Sequence, residues 1–322
     1  MIFLKKKAVV VVGATASGKT SLGVHIAKNF GGEVISADSM QIYKDLSIST
    51  AKPTQEEMCG VKHHLIDFLD ITEKYSVSSY CKDAKEVFDK LSKKGILPII
   101  VGGTGLYIDS FLTNTQFIES AVSDKVREEL KKELETRGID ELYRELRQID
   151  GVAAERIHPN NTVRVLRALE IYRTTGKTIT EQASESHKIE SDIEPLYIGI
   201  GYADREKLYE RINKRVDIML EKGILDEAKA FLAMNPSQTA LNAIGCKEFK
   251  PYFDGTDSLE NCIENLKRET RRYAKRQITW FKRNTKINWF YADEMSSEEL
   301  LSEVDKTVIY YLGGDLIDKG KK

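Results

Sequence analysis

Cysteine is scarce in this chain of 322 residues, and the four that occur are scattered. Cys59, Cys81, Cys246 and Cys262 form no C-x-x-C pair, and no histidine stands at the spacing of a zinc site. Secreted disulfide scaffolds need dense cysteine and structural zinc sites need clustered ligands, so the sequence favours neither class. We therefore expect reduced thiols and a cytoplasmic protein.

Long apolar runs are also missing. No stretch approaches the roughly 18 consecutive apolar residues that cross a bilayer. The basic cluster in "MIFLKKKAVVVVG" follows the first apolar residues, whereas a secretory leader has the reverse order and a longer apolar core. We expect neither a membrane span nor a secretory leader. Because no coiled-coil heptads occur either, we expect a monomer.

Net charge is nearly absent from the chain as a whole, at −1, which alone argues against binding to nucleic acid. The charges are nevertheless segregated. Segment 267–286, "KRETRRYAKRQITWFKRNTK", holds nine Lys or Arg and one Glu, a net of +8, so the remainder carries about −9. Such segregation produces the electrostatic footprint that a polyanionic partner requires.

Five short and continuous apolar runs predict strands of a parallel sheet, because strands buried on both faces do not alternate. The runs are "AVVVV" (8–12), "EVISA" (33–37), "LPIIV" (97–101), "LYIGIG" (196–201) and "INWFY" (287–291). A weaker sixth candidate is "HLIDFL" (64–69), at whose start His63 and His64 stand. Helical patterns lie between them, at 20–30, about 78–94, about 204–232 and 259–284. This alternation predicts an α/β fold, a P-loop NTPase-like core with a mostly parallel sheet flanked by helices.

Between about residues 117 and 195 the strand pattern disappears. Apolar residues at helical spacing predict three amphipathic helices there, two of which end at Gly138 and Gly176. The polar stretch 177–194 is expected to form a flexible return to the core. The predicted organisation is a first part of the core at 1–116, an all-helical insertion domain at 117–195, and a second part of the core at 196–322 with basic C-terminal helices.

The stretch "GATASGKT" (13–20) follows the first strand and opens the first helix, which is the context that a phosphate-binding loop requires. We call residues 13–20 the phosphate loop. In such a loop, backbone N–H groups and the helix N-terminus surround phosphate oxygens. Lys19 adds a point charge, and Thr20 offers a hydroxyl to Mg²⁺. Nothing in the loop recognises adenine, so it predicts a di- or polyphosphate ligand.

The acid that an ATP hydrolase uses to hold its metal is not found after "LPIIV", which continues as "GGTGLY" (102–107). An acid does follow the second strand, where Asp38 begins "DSMQIY" at the edge of the sheet at which ligands bind. Asp38 could cap the next turn, or it could act as an acceptor or general base beside the phosphate. A small-molecule kinase and a transferase with a diphosphate leaving group both remain open.

Six blocks then carry a resemblance to a known family. "GATASGKT", "SADSMQIYKDLSISTAKPT", "LPIIVGGTGLY", "RIHPNNTVRVLRALEIY", "RINKRVDIML" and "AKRQITWF" occur in this order between about residues 8 and 284. Together they resemble the tRNA dimethylallyltransferases, also called tRNA isopentenyltransferases. The resemblance implies transfer of a dimethylallyl group from dimethylallyl diphosphate to the exocyclic N6 amine of adenosine 37, beside the anticodon of tRNA. The phosphate loop would then hold the diphosphate of a prenyl donor rather than ATP.

In that reaction Asp38 would be the general base, because an adenine amine is a poor nucleophile until its proton is removed. Arg211 and Arg215 lie four apart on one helix face and could clamp the diphosphate, and the resemblance favours Arg215. A solvated face paired with Glu210 or Asp217 is the alternative. The catalytic candidates are Asp38, Thr20, Lys19 and Arg215, with Thr20 as the Mg²⁺ ligand. The donor-binding candidates are Gly13, Ala14, Thr15, Ala16, Ser17, Gly18, Lys19, Thr20, Arg211 and Arg215.

Contacts with tRNA are expected from basic residues, which bind phosphates, and from aromatic residues, which stack on unpaired bases. The target base must also leave the anticodon loop for a pocket. By resemblance, the surroundings of that base are Asp38, Ser39, Met40, Gln41 and Thr104. The other tRNA-binding candidates are Arg127, Val163, Arg164, Val165, Leu166, Arg167, Asn242, Ala243, Ile244, Gly245, Cys246, Lys247, Lys275, Arg276, Gln277, Ile278, Thr279, Trp280, Phe281 and Lys282.

Three other functions remain as alternatives at this point. A P-loop small-molecule or nucleoside kinase using ATP accounts for the phosphate loop and Asp38, but not for the helical insertion or the basic segment. A nucleotide-gated RNA-binding module without chemistry gives Asp38 no purpose. An enzyme that prenylates free adenine nucleotides does not need the basic surface, which could instead neutralise the acidic remainder of the chain.

Overall fold

The computed structural model describes residues 5–115, 124–186 and 190–313. The chain divides into two compact units. The first comprises Met1–Leu112 and Asp192–Lys322, and the second comprises Thr113–Ser191. No helix within the described ranges is both long enough and apolar enough to cross a bilayer.

A six-stranded sheet, with every pair parallel, forms the centre of the first unit. Its strands are β1 (Lys6–Gly13), β2 (Gly32–Ser36), β3 (His63–His64), β4 (Leu97–Gly102), β5 (Ile193–Gly201) and β6 (Asn288–Tyr291). Their order across the sheet is β3-β2-β4-β1-β5-β6. The predicted α/β class with a parallel sheet is confirmed. One detail was wrong, because His63 and His64 themselves form the sixth strand, pairing with Val34 and Ile35.

The helices of the described residues are, in chain order, α1 (Lys19–Phe30), α2 (Gln55–Met58), α3 (Val77–Lys93), α4 (Gly105–Leu112), α5 (Asp124–Ile149), α6 (Gly151–Arg156), α7 (Thr162–Thr175), α8 (Ile179–Ser186), α9 (Arg205–Glu221), α10 (Ile224–Ala233), α11 (Lys250–Phe253), α12 (Leu259–Phe281) and α13 (Ser297–Leu312). Helices α5 to α8 belong to the second unit and the others to the first. The second unit is helical in its described part, with a core of leucine, valine and alanine side chains.

Burial on both faces of the sheet explains why its strands read as continuous apolar runs. Val9 and Val11 pack with α1 and α13 on one face, whereas Val10 and Val12 pack with α3 and α4 on the other. All four side chains are fully buried, and each such burial stabilises the fold by about 1.5–3 kcal/mol. Helix α13, which the sequence left without a role, covers the first of these faces.

Two predicted segments differ from the structure for identifiable reasons. The helix predicted at about 204–232 is two helices, because Gly223 adopts φ 91° and ends the first of them. The stretch predicted as a flexible return contains α8. This helix starts with a capping box, in which the Glu181 carboxylate accepts from the Thr178 backbone N–H and Thr178 Oγ1 accepts from the Glu181 backbone N–H. Gly138 does interrupt α5, with φ 76°.

The parallel register brings three loops to one edge of the sheet. Strands β1 and β4 end side by side, with Val12 opposite Gly102, and β2 ends beside β4, with Ser36 opposite Val101. The phosphate loop, the Asp38 turn and the "GGTG" segment follow these three strands directly. Their juxtaposition is what creates the site described next.

Candidate active site

Backbone geometry gives the phosphate loop its shape. Ala16 and Gly18 adopt left-handed φ values of 62° and 100°, which turn successive N–H groups toward one side. At Gly13 a Cβ would lie 2.5 Å from the Ile200 carbonyl oxygen and 2.6 Å from Ser17 Oγ, so no larger residue fits there. Helix α1 then begins at Lys19 and directs its N-terminus at the hollow of the loop.

A cavity of about 1220 Å³ opens in front of this loop. Ligand sites for small molecules usually measure about 300–1,000 Å³, so this cavity has room for more than one reactant. Among the predicted residues, it is lined by Thr15, Ala16, Gly18, Lys19, Thr20, Asp38, Ser39, Met40, Gln41, Arg211, Arg215, Asn242, Ile244, Lys247, Arg276 and Gln277. Gly13, Ala14 and Ser17 also belong to the loop, but they are buried and do not line the cavity.

Lys19 is held inside the loop, where its Nζ donates to the Ala14 carbonyl oxygen at 3.2 Å. Burial lowers the pKa of Lys19 to about 8, since a charged ammonium is poorly solvated there. The carboxylate of Asp38 opposes this shift and the nearby Arg215 reinforces it. The charges of Lys19, Asp38 and Arg215 are therefore close enough to act on one another.

This shift predicts how anion binding depends on pH. Lys19 keeps its proton below its pKa of about 8 and loses it above that value, so the affinity for inorganic pyrophosphate should fall as the pH rises from 7 to about 9. Titration calorimetry on the wild type and on Lys19→Met tests this. The variant shows how the titration of pyrophosphate itself changes the affinity with pH. Only the additional loss of affinity in the wild type is due to Lys19. Equal pH dependence in the two proteins would contradict the assignment.

Asp38 caps the turn that follows β2. Its Oδ1 accepts hydrogen bonds from the backbone N–H groups of Met40, at 2.9 Å, and Gln41, at 3.3 Å. The capping interpretation is thus confirmed, and it does not exclude the catalytic one. Both bonds use Oδ1, so they orient the carboxylate while Oδ2 stays available to accept a proton.

The neighbouring side chains hold this turn against the "GGTG" segment. Thr104 Oγ1 accepts from the Ser39 backbone N–H at 3.1 Å and donates to Ser39 Oγ at 3.3 Å. A Cβ at Gly102 would overlap the Ala37 carbonyl, so this approach requires glycine. Thr104 therefore positions the Asp38 turn from behind and does not line the cavity.

The two arginines of α9 have different surroundings. Arg211 is exposed, and its Nε donates to the Ala16 carbonyl oxygen of the phosphate loop at 3.0 Å. Arg215 is largely buried, which lowers its pKa, and the charges of Asp38 and Glu57 oppose that shift. An arginine stays protonated even so. The alternative of a solvated ion-paired face does not apply to Asp217, which pairs with Lys267 at 2.9 Å.

One carboxylate with a clear structural task has no signal in the sequence. Glu227, in the first turn of α10, accepts the backbone N–H groups of Ser47, Ile48 and Ser49 at 2.9, 2.7 and 2.8 Å. It thereby anchors residues 47–54, which form one wall of the cavity. Such a contact joins positions about 180 apart in the chain, so local spacing could not reveal it.

Burial separates the tRNA-binding candidates into two groups. The exposed side chains are those of Val163, Arg164, Arg167, Asn242, Lys247, Lys275, Arg276, Thr279 and Lys282, and those of Arg127, Leu166, Ile244, Ile278 and Trp280 are partly exposed. Val165, Ala243, Gly245, Cys246, Gln277 and Phe281 are buried. Direct contact with tRNA stays a prediction at these six positions, of which only Gln277 lines the cavity.

Two of the exposed arginines share a buried partner within the second unit. Glu170, only 4% exposed, accepts from Arg127 Nε at 3.0 Å and from Arg167 at 2.7 Å. Nearby, Asn161 caps α7 by accepting from the Arg164 backbone N–H. These contacts fix the directions of arginines that the resemblance assigned to tRNA.

The residues present suit a magnesium ion that is held mainly by the oxygens of a bound phosphate compound. No group of three or more His, Cys, Asp and Glu side chains that could hold a metal occurs within residues 5–115, 124–186 and 190–313. Mg²⁺ commonly takes one or two protein ligands and completes its shell with phosphate oxygens and water. Thr20 lines the cavity beside the phosphate loop and suits that role.

Comparison with known proteins agrees with this geometry. The profile of a family described as IPP transferase matches residues 41–284. The tRNA dimethylallyltransferase of Thermoanaerobacter sp. (strain X514) is 46% identical over 311 residues, covering 96% of this chain and 98% of that protein. That of Halalkalibacterium halodurans is 42% identical over 319 residues, covering 99% and 100%.

Solved structures give the same result. The full-length tRNA isopentenylpyrophosphate transferase from Bacillus halodurans is 40% identical, covers 96% of this chain and 97% of its own, and superposes with a TM-score of 0.72. A eukaryotic dimethylallyltransferase captured acting on tRNA is 32% identical, covers 98% and 81%, and has a TM-score of 0.82. The chain is a member of the IPP transferase family.

Proposed function

We propose that this protein transfers the dimethylallyl group of dimethylallyl diphosphate to N6 of adenosine 37 in tRNA, releasing diphosphate. One observation carries the proposal: a single cavity gathers a phosphate loop, a carboxylate and a buried arginine. A small-molecule kinase would also use the loop and the carboxylate, but it gives no role to the exposed cations of α12. The proposal includes a cytoplasmic enzyme that works as a monomer.

The acceptor step depends on Asp38. The N6 lone pair forms a bond to the allylic carbon of the donor, and the amine must lose a proton as this bond forms. Oδ2 of Asp38 accepts that proton, while Oδ1 stays hydrogen-bonded to Met40 and Gln41. The turn therefore keeps the base in place throughout the transfer.

The donor step depends on the cations around the phosphate loop. The allylic carbon–oxygen bond breaks, and its electron pair goes to the departing diphosphate. The loop N–H groups, Lys19 and Arg215 lie where they can stabilise this charge as it develops. Thr20 would hold Mg²⁺, which when bound neutralises part of the diphosphate charge.

Recognition of the acceptor rests on basic surface within each unit. In the first unit, Lys275, Arg276 and Lys282 are exposed on α12, and Arg276 also lines the cavity. In the second unit, Val163 is 79% exposed beside Arg164 at the start of α7. Cations bind the RNA backbone, and the target adenine must be flipped from the anticodon loop to reach the donor.

A mass measurement tests the proposal. The protein is incubated with unmodified tRNA, Mg²⁺ and dimethylallyl diphosphate, without ATP, and the digested nucleosides are weighed. We expect one adenosine to be heavier by a dimethylallyl group, and a transcript with guanosine at position 37 to gain nothing. Equal gain by that control would overturn the choice of site. ATP consumption without any mass gain would instead support a kinase.

A further inference from the structure

Gln277 is a buried polar residue inside the basic helix α12, and its side chain joins two loops of the active site. The carboxamide is 5% exposed. Its Oε1 accepts from the Thr15 backbone N–H of the phosphate loop at 2.8 Å, and its Nε2 donates to the Gly103 carbonyl oxygen at 3.0 Å. Burial makes both bonds consequential, since removing the side chain leaves a donor and an acceptor unpaired.

The site is built around this side chain. A Cβ at residue 103 would overlap Gln277 Nε2, so glycine is required for the carboxamide to fit. Thr104, the next residue, donates its backbone N–H to the Ala37 carbonyl oxygen at 3.1 Å and holds Ser39 through its hydroxyl. Gln277 is thus connected to the phosphate loop on one side and to the Asp38 turn on the other.

The same helix carries exposed cations close to this buried side chain. Lys275 and Arg276 directly precede Gln277, and Lys282 follows one turn later. Apolar contacts of Ala274 and Ile278 with Ala14 set the distance between helix and loop, whereas the two hydrogen bonds set their relative position. If RNA binding to these cations shifts α12, the Thr15 hydrogen bond carries that shift to the phosphate loop.

We propose that Gln277 is a positioning residue that couples RNA binding on α12 to diphosphate binding in the phosphate loop. The inference rests on the proposed function and goes beyond it. Coupling between sites is reciprocal, so tRNA raises the affinity for diphosphate by the same factor as diphosphate raises that for tRNA. The phosphate loop would then close around a donor most firmly when an acceptor is present.

Titration calorimetry with inorganic pyrophosphate and Mg²⁺, with and without saturating tRNA, measures the coupling. In the wild type we expect tRNA to tighten pyrophosphate binding about fivefold or more, the lower range of typical couplings. In Gln277→Met, which keeps the bulk and loses both hydrogen bonds, the ratio should fall to near one. A purely structural role would weaken both ligands and leave the ratio unchanged, which would overturn the proposal.

Two further variants serve as controls for the coupling measurement. Gly103→Ala leaves α12 unchanged, and its added methyl group displaces the Gln277 carboxamide. This variant should therefore also lose the coupling, and a variant that retains it would contradict the role of Gln277. Arg164→Gln, at an exposed cation outside α12, should weaken tRNA binding and keep the ratio of the wild type. A wild type that binds both ligands with a ratio of one overturns this inference alone, whereas failure to bind tRNA at all defeats the proposed function as well.

Discussion

Replacing Asp38 by alanine should lower the rate of prenyl transfer by about 10²- to 10⁴-fold, the usual contribution of a general base. Affinity for tRNA should change little. The reason is that the amine cannot lose its proton at the required moment, although the exposed cations that bind the RNA backbone are unaltered. Single-turnover rates with saturating tRNA and donor, together with a separate tRNA binding curve, measure the two quantities.

The matched control is Asp38→Asn, because the structure gives Asp38 two tasks. An asparagine oxygen can still accept from the N–H groups of Met40 and Gln41, so the turn is preserved. An amide cannot take the proton, however. If Asp38 is the base, the asparagine variant should be as slow as the alanine variant.

Other outcomes would change the assignment. Near-normal transfer by Asp38→Asn would show that the turn, and not proton removal, is what the reaction needs. Loss of tRNA binding in both variants would make Asp38 a recognition residue. Since the cap and the base are the same carboxyl group, only the pair of variants separates these roles.

The sheet and the phosphate loop were predictable because their signals are local. A strand buried on both faces must be continuously apolar, as Val9 to Val12 show, and the phosphate loop has fixed residues at a fixed spacing. Asp38 followed from the same logic, since the end of a parallel strand determines which edge of the sheet its successor occupies. The sequence alone therefore predicts which loops form the proposed site.

The inward position of Gln277 was available in the sequence but was missed. Ala274, Gln277 and Phe281 lie three and four apart, the spacing of one helix face, and all three are buried. The resemblance assigned Gln277 to the contacts with tRNA, so its inward position was overlooked. Helical periodicity is the better guide here, since a buried amide is acceptable when its hydrogen bonds are satisfied, as these are.

Other features could not have been inferred from spacing. Glu227 and Glu170 act on partners that only the folded chain brings near, the 47–49 backbone and Arg127. The burial of Lys19 and Arg215, which lowers the pKa of each, is likewise a property of the assembled cavity. Sequence identifies the residue types, and tertiary packing decides which of them are paired, buried or charged.

Arg215 and Arg211 provide the second strong prediction, because they occupy one helix face and differ in burial. Arg215→Ala should lower the rate of transfer by about 10²- to 10³-fold, the effect of removing one donor that stabilises a developing oxyanion. Arg211→Ala, at an exposed side chain, should change it only a few-fold, since solvent screens that charge. Steady-state kcat and KM for the donor distinguish the two effects.

The expected loss lies in kcat because negative charge moves during the reaction. Before transfer, Arg215 interacts with the Asp38 carboxylate and with Lys19 at the phosphate loop. As Asp38 takes up a proton, negative charge appears on the departing diphosphate. Arg215 is a fixed cation that acts on both Asp38 and Lys19, so it can stabilise this charge without having to move. An effect confined to KM would mean that Arg215 binds donor and transition state equally. Arg215→Lys sharpens the test, because lysine restores the charge but not the planar fork, and full rescue would show that the charge alone suffices.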